Sequence, residues 1–181
     1  KSATFRTVDV VGLDTLVHVA NGIYENCPND EAHELFKLPD FITKMMENKW
    51  LGSKTGQGFY KKEGRDILSL DLNTLEYRPA KKASFATLEL TKTIDKPINR
   101  FKILVKGKDK AGEFYRRSFA AMFAYVSNRI PEITDELYKI DDAMKAGFGW
   151  ENGPFEIWDA IGVANGIELI KNEGLNSPTW V

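Results

Sequence analysis

The longest amphipathic pattern in the chain lies between Ala111 and Leu137, and it limits the fold more than any other feature. Apolar and aromatic residues recur there every three or four positions, which is the spacing of one face of an α-helix. Pro131 interrupts the pattern and removes one backbone donor, so we expect a kink or break close to Asn128-Arg129. The sequence therefore predicts a mainly α-helical protein. The residues of the pattern are Tyr115, Phe119, Met122, Val126, Ile130, Ile133 and Leu137.

Shorter helical patterns and one alternating pattern occupy the rest of the chain. Between Ile67 and Arg78, apolar and polar residues largely alternate except at Asn73-Thr74, which predicts a β-hairpin. A basic connector of small residues follows over 79–84. We expect a first part over residues 1–62, a hairpin and linker over 63–83, and a second helical part over 84–181. Helices are predicted near 14–26, 40–51, 84–94, 97–106 and 140–144, after Gly153-Pro154, and over 164–172.

Composition and charge argue against several classes of function. Of the 181 residues, 43% are hydrophobic, enough for one buried core or two small ones. Lys and Arg number 25 against 26 Asp and Glu, and a net charge of −1 gives no field that attracts nucleic acid. The single cysteine, Cys27, lacks a disulfide partner and the neighbours of a zinc site, so we expect no metal and a cytoplasmic location. No apolar run approaches the roughly 20 residues of a transmembrane segment, and both ends resemble those of a fragment.

Two short segments of the chain resemble each other at an offset of 150 residues. Each has an Asp, two apolar residues, a Gly and an aliphatic residue before a helical pattern: one is 9–13 and the other 159–163. Such a match arises by chance as well as by duplication. In either case the glycine allows a sharp turn between two helices.

Few residues have the pattern of a catalytic or binding site. The glycine-rich segment 52–58 is followed by Phe59-Tyr60 rather than a helix, which favours a structural turn over a phosphate-binding loop. His18 and His33 have no base or nucleophile nearby in sequence. The acidic residues Asp135, Glu136, Asp141 and Asp142 are expected on a solvated face.

Asn128 is the polar residue that merits closest attention, because it interrupts an apolar and aromatic helix. Its side-chain amide can donate a hydrogen bond to a substrate carbonyl. The alternative is that the amide satisfies backbone groups that Pro131 leaves unpaired, and the residues alone favour this structural role.

Several ordered segments resemble the helical C-terminal domain of L-3-hydroxyacyl-CoA dehydrogenases. In the second half they are Tyr125–Pro131 with its Asn-Arg step, 140–149, and Gly153-Pro154-Phe155-Glu156. In the first half they are 9–15, Asn48-Lys49 and the loop from Gly52 to Tyr60. The resemblance implies a 6-phosphogluconate-dehydrogenase C-terminal-like helical fold in one and a half copies, as in multifunctional fatty-acid oxidation proteins. The second copy would then lack its final turn and its Gly-Phe-Tyr segment.

The resemblance also implies a function and a set of partners. In this family NAD takes a hydride from the substrate in β-oxidation, while a histidine, oriented by a glutamate, and a serine act from a separate NAD-binding domain. Asn128 matches the family's catalytic asparagine, but in a second copy it would be a vestige. The implied partners are an acyl-CoA substrate, the NAD-binding domain, an enoyl-CoA hydratase domain in some relatives, and a second copy in a homodimer. The fragment itself would bind no cofactor and be inactive. The alternative is a helical protein-association or scaffold module without dehydrogenase activity.

Overall fold

The computed structural model describes residues 3–181, and Lys1 and Ser2 lie outside the described residues. The chain divides into two compact units, Lys1–Lys82 and Ala83–Val181, which we call the first and second units. The fold is mainly helical with one small antiparallel sheet, which confirms the predicted fold class. Within residues 3–181, no helix is both long and apolar enough to cross a membrane.

The first unit is built around a helix–glycine–helix corner. Helix α1 ends at Val11, Gly12 adopts φ 115° and ψ 130°, and α2 begins at Leu13. Leu13 is fully buried and packs with Ile42, Met45 and Phe59 in the core of this unit. The helices of the first unit are α1 (Thr4–Val11), α2 (Leu13–Asn26) and α3 (Asp40–Glu47), with short 3-10 turns at His33–Phe36 and Ser53–Thr55.

The sheet has three strands where the sequence predicts a two-stranded hairpin. Strands β2 (Asp66–Leu70) and β3 (Tyr77–Pro79) form the predicted hairpin, and β1 (Tyr60–Glu63) adds an edge strand to β2. The sequence predicts an extended segment from Phe59-Tyr60 but not its place in the sheet, because backbone pairing, from Tyr60↔Ser69 to Glu63↔Asp66, forms this strand rather than an apolar face. Leu70 is buried in the core of the first unit, so the sheet packs onto that unit.

The second unit is arranged along one long helix, α6. This helix ends at Asn128, which confirms the predicted break, and residues 129–136 are not helical. Ile133, predicted on the buried face, is instead 70% exposed, because a proline and the residue before it do not continue a helix. The helices of the second unit are α4 (Ala86–Glu89), α5 (Pro97–Leu104), α6 (Lys110–Asn128), α7 (Leu137–Phe148), α8 (Pro154–Ile161) and α9 (Val163–Asn172).

Aromatic stacking fills the core of the second unit. The Phe123 ring stacks on Trp158 with centroids 4.7 Å apart, and Phe119 stacks on Phe123 at 5.8 Å. Because Phe119 and Phe123 are four residues apart on α6, they lie on the same face. This face packs against α8 and α9.

Helix α4 is shorter than the predicted span 84–94. Thr87 near its start is buried and bonds to the loop before α6, where its N–H and hydroxyl donate to Asp109 at 3.0 and 2.7 Å. At the other end, the Thr91 hydroxyl donates to the Leu88 carbonyl at 2.9 Å. Such side-chain bonds compete with helix formation, so the chain leaves α4 after one turn.

Candidate functional site

Asn128 lies at the C-terminal end of α6, where it is half-buried. The preceding Ser127 is fully buried, and its hydroxyl donates to the Ala124 carbonyl at 2.9 Å. The Arg129 guanidinium carbon lies 4.8 Å from the centroid of the Tyr125 ring, and its Nη1 is 2.9 Å from Glu132 Oε2. The Asn-Arg step therefore marks the end of the long helix and the start of the non-helical connection.

The two histidines differ in their surroundings. His33 Nδ1 lies 3.2 Å from the Cys27 carbonyl oxygen, and the ring stacks on Tyr24 with centroids 4.1 Å apart. His18 is exposed on α2. The contacts of His33 are those of a structural histidine, the role that the sequence favours. No group of three or more His, Cys, Asp or Glu in residues 3–181 is placed to hold a metal ion.

Asp141 binds the backbone of the Gly153-Pro154-Phe155-Glu156 segment in the second unit. It is 5% exposed on α7, and its two carboxylate oxygens accept the N–H groups of Phe155 at 2.8 Å and Glu156 at 3.1 Å. These N–H groups belong to the first turn of α8 and have no partner inside the helix. Burial raises the pKa of Asp141, although the two N–H bonds act in the opposite direction.

The prediction that Asp141 lies on a solvated face is wrong. A carboxylate is commonly exposed near a helix end, but here the first turn of α8 supplies two donors that compensate for its burial. The residues that form this contact lie 14 and 15 positions along the chain, beyond the reach of a local sequence pattern.

The other residues of Gly153-Pro154-Phe155-Glu156 each have a structural role. A Cβ on Gly153 would lie 2.3 Å from the Asp141 Cβ and 2.4 Å from its Cα, so only glycine fits. Pro154 occupies the first turn, where its missing N–H costs no hydrogen bond, and Phe155 is buried. The Glu156 carboxylate accepts the Gly153 N–H at 2.9 Å, as the glutamate of a capping box does, whereas the Glu156 N–H bonds to Asp141 because Gly153 has no side chain.

A small charge cluster surrounds the Glu156 carboxylate. Lys145 Nζ lies 2.7 Å from Glu156 Oε1 and 3.2 Å from Asp142 Oδ1. The hydrogen bond from Lys145, followed by that from Gly153, lowers the pKa of Glu156. Hydrogen bonds to Glu156 and then Asp142 raise the pKa of Lys145. Lys145 and Glu156 thus remain charged at neutral pH, and their ion pair links α7 to α8.

Asp9 has the same role in the first unit, at the Gly52–Tyr60 loop. It is 6% exposed, and its carboxylate accepts the N–H groups of Phe59 and Tyr60, each at 2.8 Å. A Cβ on Gly58 would lie 2.2 Å from Asp9 Oδ1. The Tyr77 hydroxyl donates to the Gly58 carbonyl at 2.6 Å. Burial, and then the charge of Asp9, raises the pKa of Tyr77 to about 12.

The amide groups of this loop are occupied by the protein itself. The N–H of Gly52 donates to Gln57, that of Gly56 to Ser53, and that of Gly58 to Tyr60. A phosphate-binding loop needs such groups directed at the ligand. The geometry agrees with the structural turn that the sequence favours.

Sequence reasoning missed both buried aspartates. Asp9 lies in an apolar stretch, whereas Asp141 is followed by a second aspartate, and each accepts the N–H of a phenylalanine and of the next residue. A glycine shortly before each phenylalanine allows the carboxylate to approach. For Asp9 the available signal was therefore an aspartate among apolar residues together with a distant Gly-aromatic segment, and for Asp141 the distant Gly-Pro-Phe segment alone.

The comparison with protein families identifies the first part of the chain. Residues 1–62 match the family described as 3-hydroxyacyl-CoA dehydrogenase, C-terminal domain. A "Probable 3-hydroxyacyl-CoA dehydrogenase" of Bacillus subtilis (strain 168) is 45% identical over all 181 residues, which correspond to 23% of that protein. These findings confirm the resemblance that the motifs predict.

More distant relatives are named as fatty acid oxidation complex proteins. A "Putative fatty acid oxidation complex trifunctional enzyme" of Rickettsia prowazekii (strain Madrid E) is 28% identical over 94% of this chain and 23% of its own length. A "Fatty acid oxidation complex subunit alpha" of Psychrobacter cryohalolentis is 28% identical over 90% of this chain and 20% of its own length. The chain thus spans about a quarter or less of these relatives. No solved structure matches it significantly.

Proposed function

We propose that the chain is a helical substrate-side and packing region of an NAD-dependent L-3-hydroxyacyl-CoA dehydrogenase, because residues 1–62 match the C-terminal domain family of these enzymes. The intact enzyme would act on acyl-CoA substrates in fatty-acid β-oxidation. The observation that supports this best is the 45% identity to the Bacillus subtilis relative over the whole chain. By itself, residues 1–181 would have no dehydrogenase activity.

The described residues do not fit the NAD that the proposed enzyme uses. A dinucleotide site needs a glycine-rich turn between a strand and a helix, with amide groups that point at the pyrophosphate. The loop over 52–58 leads into β1 instead, and its N–H groups bond within the first unit. In our proposal the cofactor therefore belongs to a separate NAD-binding domain, and we assign none to this chain.

The proposed role is to build and pack the helical part of the enzyme. The motifs that identify the family hold the backbone together: Asp141 and Glu156 bind the start of α8, and Asp9 binds the loop before β1. An enoyl-CoA hydratase domain and a homodimer partner are further expected neighbours, because relatives are named as fatty acid oxidation complex proteins. We propose a cytoplasmic location for the intact enzyme.

The activity of the isolated chain tests this proposal directly. Purified 1–181 is mixed with acetoacetyl-CoA and NADH, and the absorbance of NADH is followed. The full-length Bacillus subtilis relative serves as the positive control. We expect turnover in the control only; NADH oxidation by 1–181 above background contradicts the proposal that its catalytic half lies elsewhere.

A scaffold module without dehydrogenase activity is the second candidate, and the coding sequence before Lys1 distinguishes the two. A strand followed by Gly-x-Gly-x-x-Gly at the start of a helix supports the enzyme. A coding sequence without this pattern favours the scaffold.

Asn128 would support the end of α6 rather than the hydride transfer. In the intact enzyme, we expect Asn128→Ala to lower the free energy of unfolding by about 1 kcal/mol and to change kcat by less than about twofold. Thermal melting and steady-state kinetics measure the two effects. A loss of kcat of about a hundredfold with unchanged melting, as for a lost oxyanion donor, would instead make Asn128 catalytic.

A further inference from the structure

The dipeptide Asn-Gly occurs three times in the chain, at 21–22, 152–153 and 165–166. Asparagine is among the thermolabile residues of proteins. Before glycine it loses its side-chain amide most readily, because glycine has no side chain to hinder attack by its own backbone nitrogen. Two of the three steps even lie in the same tetrapeptide, Ala-Asn-Gly-Ile, at 20–23 and 164–167. The local sequence thus makes all three steps reactive, and the fold decides which of them reacts.

Loss of the amide is a cyclisation followed by a hydrolysis, and it consumes only water. The glycine nitrogen gives up its proton and bonds to the carbonyl carbon of the asparagine side chain, while the bond from that carbon to the side-chain nitrogen breaks and ammonia leaves. Water then opens the cyclic imide at either carbonyl. The product is aspartate, or isoaspartate with an additional CH₂ group in the main chain. The reaction therefore requires a glycine N–H that leaves its hydrogen bond and a backbone that can rotate.

Two of the three steps are held by regular helices. Asn21-Gly22 lies within α2. Asn165-Gly166 lies within α9, where the Gly166 N–H donates to the Gly162 carbonyl at 3.0 Å and the Asn165 side-chain amide donates to the Ile161 carbonyl at 2.8 Å. A helix fixes the backbone angles and binds its interior N–H groups. Release of either glycine nitrogen therefore requires the helix to unwind.

The third step, Asn152-Gly153, lies outside the helices, in the connection from α7 to α8. Asn152 is half-buried. The Gly153 N–H donates at 2.9 Å to a side chain, the Glu156 carboxylate, which is itself 39% exposed. Rotation of this one side chain frees the nitrogen, and such a local opening costs less free energy than the unwinding of a helix.

The Glu156 carboxylate also binds the Asn152 side chain, whose amide donates a hydrogen bond to it. Lys145 Nζ lies 2.7 Å from Glu156 Oε1 and holds the carboxylate in place. One carboxylate thus binds both groups that take part in the cyclisation, the Gly153 nitrogen and the Asn152 side chain. Because the nitrogen would have to lose its proton next to a negative charge, the intact contact slows the reaction.

We propose that Asn152 is the site at which the folded chain deamidates, and that Glu156 is the positioning residue that sets the rate. The product weakens the junction of α7 and α8. An aspartate at position 152 donates no hydrogen bond to Glu156 and carries a charge of the same sign. An isoaspartate also displaces Gly153, which packs against Asp141.

The products at all three steps can be measured in one sample. Purified 1–181 is incubated at neutral pH and digested with an acid protease, and mass spectrometry quantifies aspartate and isoaspartate at Asn21, Asn152 and Asn165. In the folded chain we expect Asn152 to react at least about tenfold faster than the other two, because only its glycine is released by a local opening. In urea, where the fold no longer distinguishes the three steps, their rates should become similar.

Glu156→Ala tests the positioning role, because it removes the acceptor of the Gly153 N–H. Asn152 should then react about tenfold faster, the factor that corresponds to one hydrogen bond to a charged group. Asn21 and Asn165 should keep their rates. Glu151→Ala is the matched control, since Glu151 is an exposed carboxylate directly before Asn152, and it should leave all three rates unchanged.

Two kinds of result would contradict the proposal. Equal rates at the three steps of the folded chain overturn the assignment of the site to Asn152. An unchanged rate at Asn152 after Glu156→Ala, or an equal rise at all three steps, overturns the role of Glu156.

Discussion

The first and second units contain the same helix–glycine–helix corner but bury different aspartates beside it. In the first unit the aspartate on the corner itself, Asp9, is buried and binds the loop before β1. In the second unit the equivalent Asp159 is exposed, and the buried aspartate is Asp141, which binds the start of α8 from the preceding helix. Burial of a carboxylate thus follows the supply of paired backbone donors, because an ion without them loses its hydration uncompensated.

The comparison also explains the glycines of the two family motifs. An ideal Cβ built on Gly58 or on Gly153 would lie within 2.3 Å of an atom of the buried aspartate beside it. Neither position needs glycine for a positive φ. Both need it because a carboxylate binds the amides that follow, and a side chain would occupy its place.

The largest expected effect is that of Gly52→Ala in the first unit. Gly52 has φ 101°, and a Cβ there would lie 2.3 Å from the Asp9 carbonyl oxygen, so strain and a backbone clash combine. We expect the free energy of unfolding to fall by about 4 kcal/mol, measured by urea unfolding. Gly22→Ala on α2 is the control, since its Cβ meets nothing within 4 Å and alanine favours a helix by about 1 kcal/mol. A Gly52→Ala protein as stable as the control would show that the loop can move away from Asp9.

Replacement of the two corner aspartates, Asp9 and Asp159, by asparagine should lower the stability of the protein by very different amounts. Asp9→Asn places an amide donor against one of two backbone N–H donors, so we expect a loss of about 3 kcal/mol in stability. Asp159→Asn changes an exposed side chain, and its effect should stay within about 0.5 kcal/mol. Denaturant unfolding of the two variants measures this difference. Equal losses would mean that the Asp159 carboxylate is also buried in solution.

Gly153→Ala repeats the steric test at the other buried aspartate. The new Cβ would lie 2.4 Å from the Asp141 Cα, and we expect the second unit to lose about 3 kcal/mol. Gly147→Ala in α7, which meets nothing within 4 Å, should not destabilise it. Amide exchange of α8 residues reports on this unit specifically. If Gly153→Ala leaves that exchange unchanged, the contact with Asp141 does not require glycine.

The smallest expected effect concerns the pH dependence of stability. Two acidic residues of the second unit, Asp109 and Asp141, contribute to it with opposite sign. Hydrogen bonds from the Thr87 N–H, the Gly112 N–H and the Thr87 hydroxyl lower the pKa of Asp109 from 3.8 to about 2. Because the folded state then binds fewer protons, the stability from Asp109 is present above about pH 4 and is lost as pH falls to about 2.

The raised pKa of Asp141 has the opposite sign: its contribution is present in acid and falls as pH rises. Urea unfolding between pH 5 and 2 should therefore show a shallower acid decline after Asp109→Asn. A decline as steep as in the unsubstituted chain would contradict the assignment to Asp109.

Local patterns were sufficient for many of the helices. The stripe through Tyr115, Phe119 and Met122 predicts α6, and Pro131 predicts its end at Asn128. The alternation from Ile67 to Arg78 predicts the β2–β3 hairpin. These features depend on residues within a few positions of one another. The sequence predicts that the chain is extended from Phe59-Tyr60 but not that this segment joins the sheet, because Lys61, Lys62 and Glu63 show no apolar face and pair with β2 through their backbone.

The helical class and the resemblance to 3-hydroxyacyl-CoA dehydrogenases can be read from the residues alone, because helical periodicity and ordered motifs are local. The burial of particular acidic residues follows from the fold, since the donors to Asp9 lie 50 and 51 positions away and those to Asp141 lie 14 and 15 away. A carboxylate is equally hydrophilic in every sequence position. Whether it is buried depends on the amide groups that the fold brings to it.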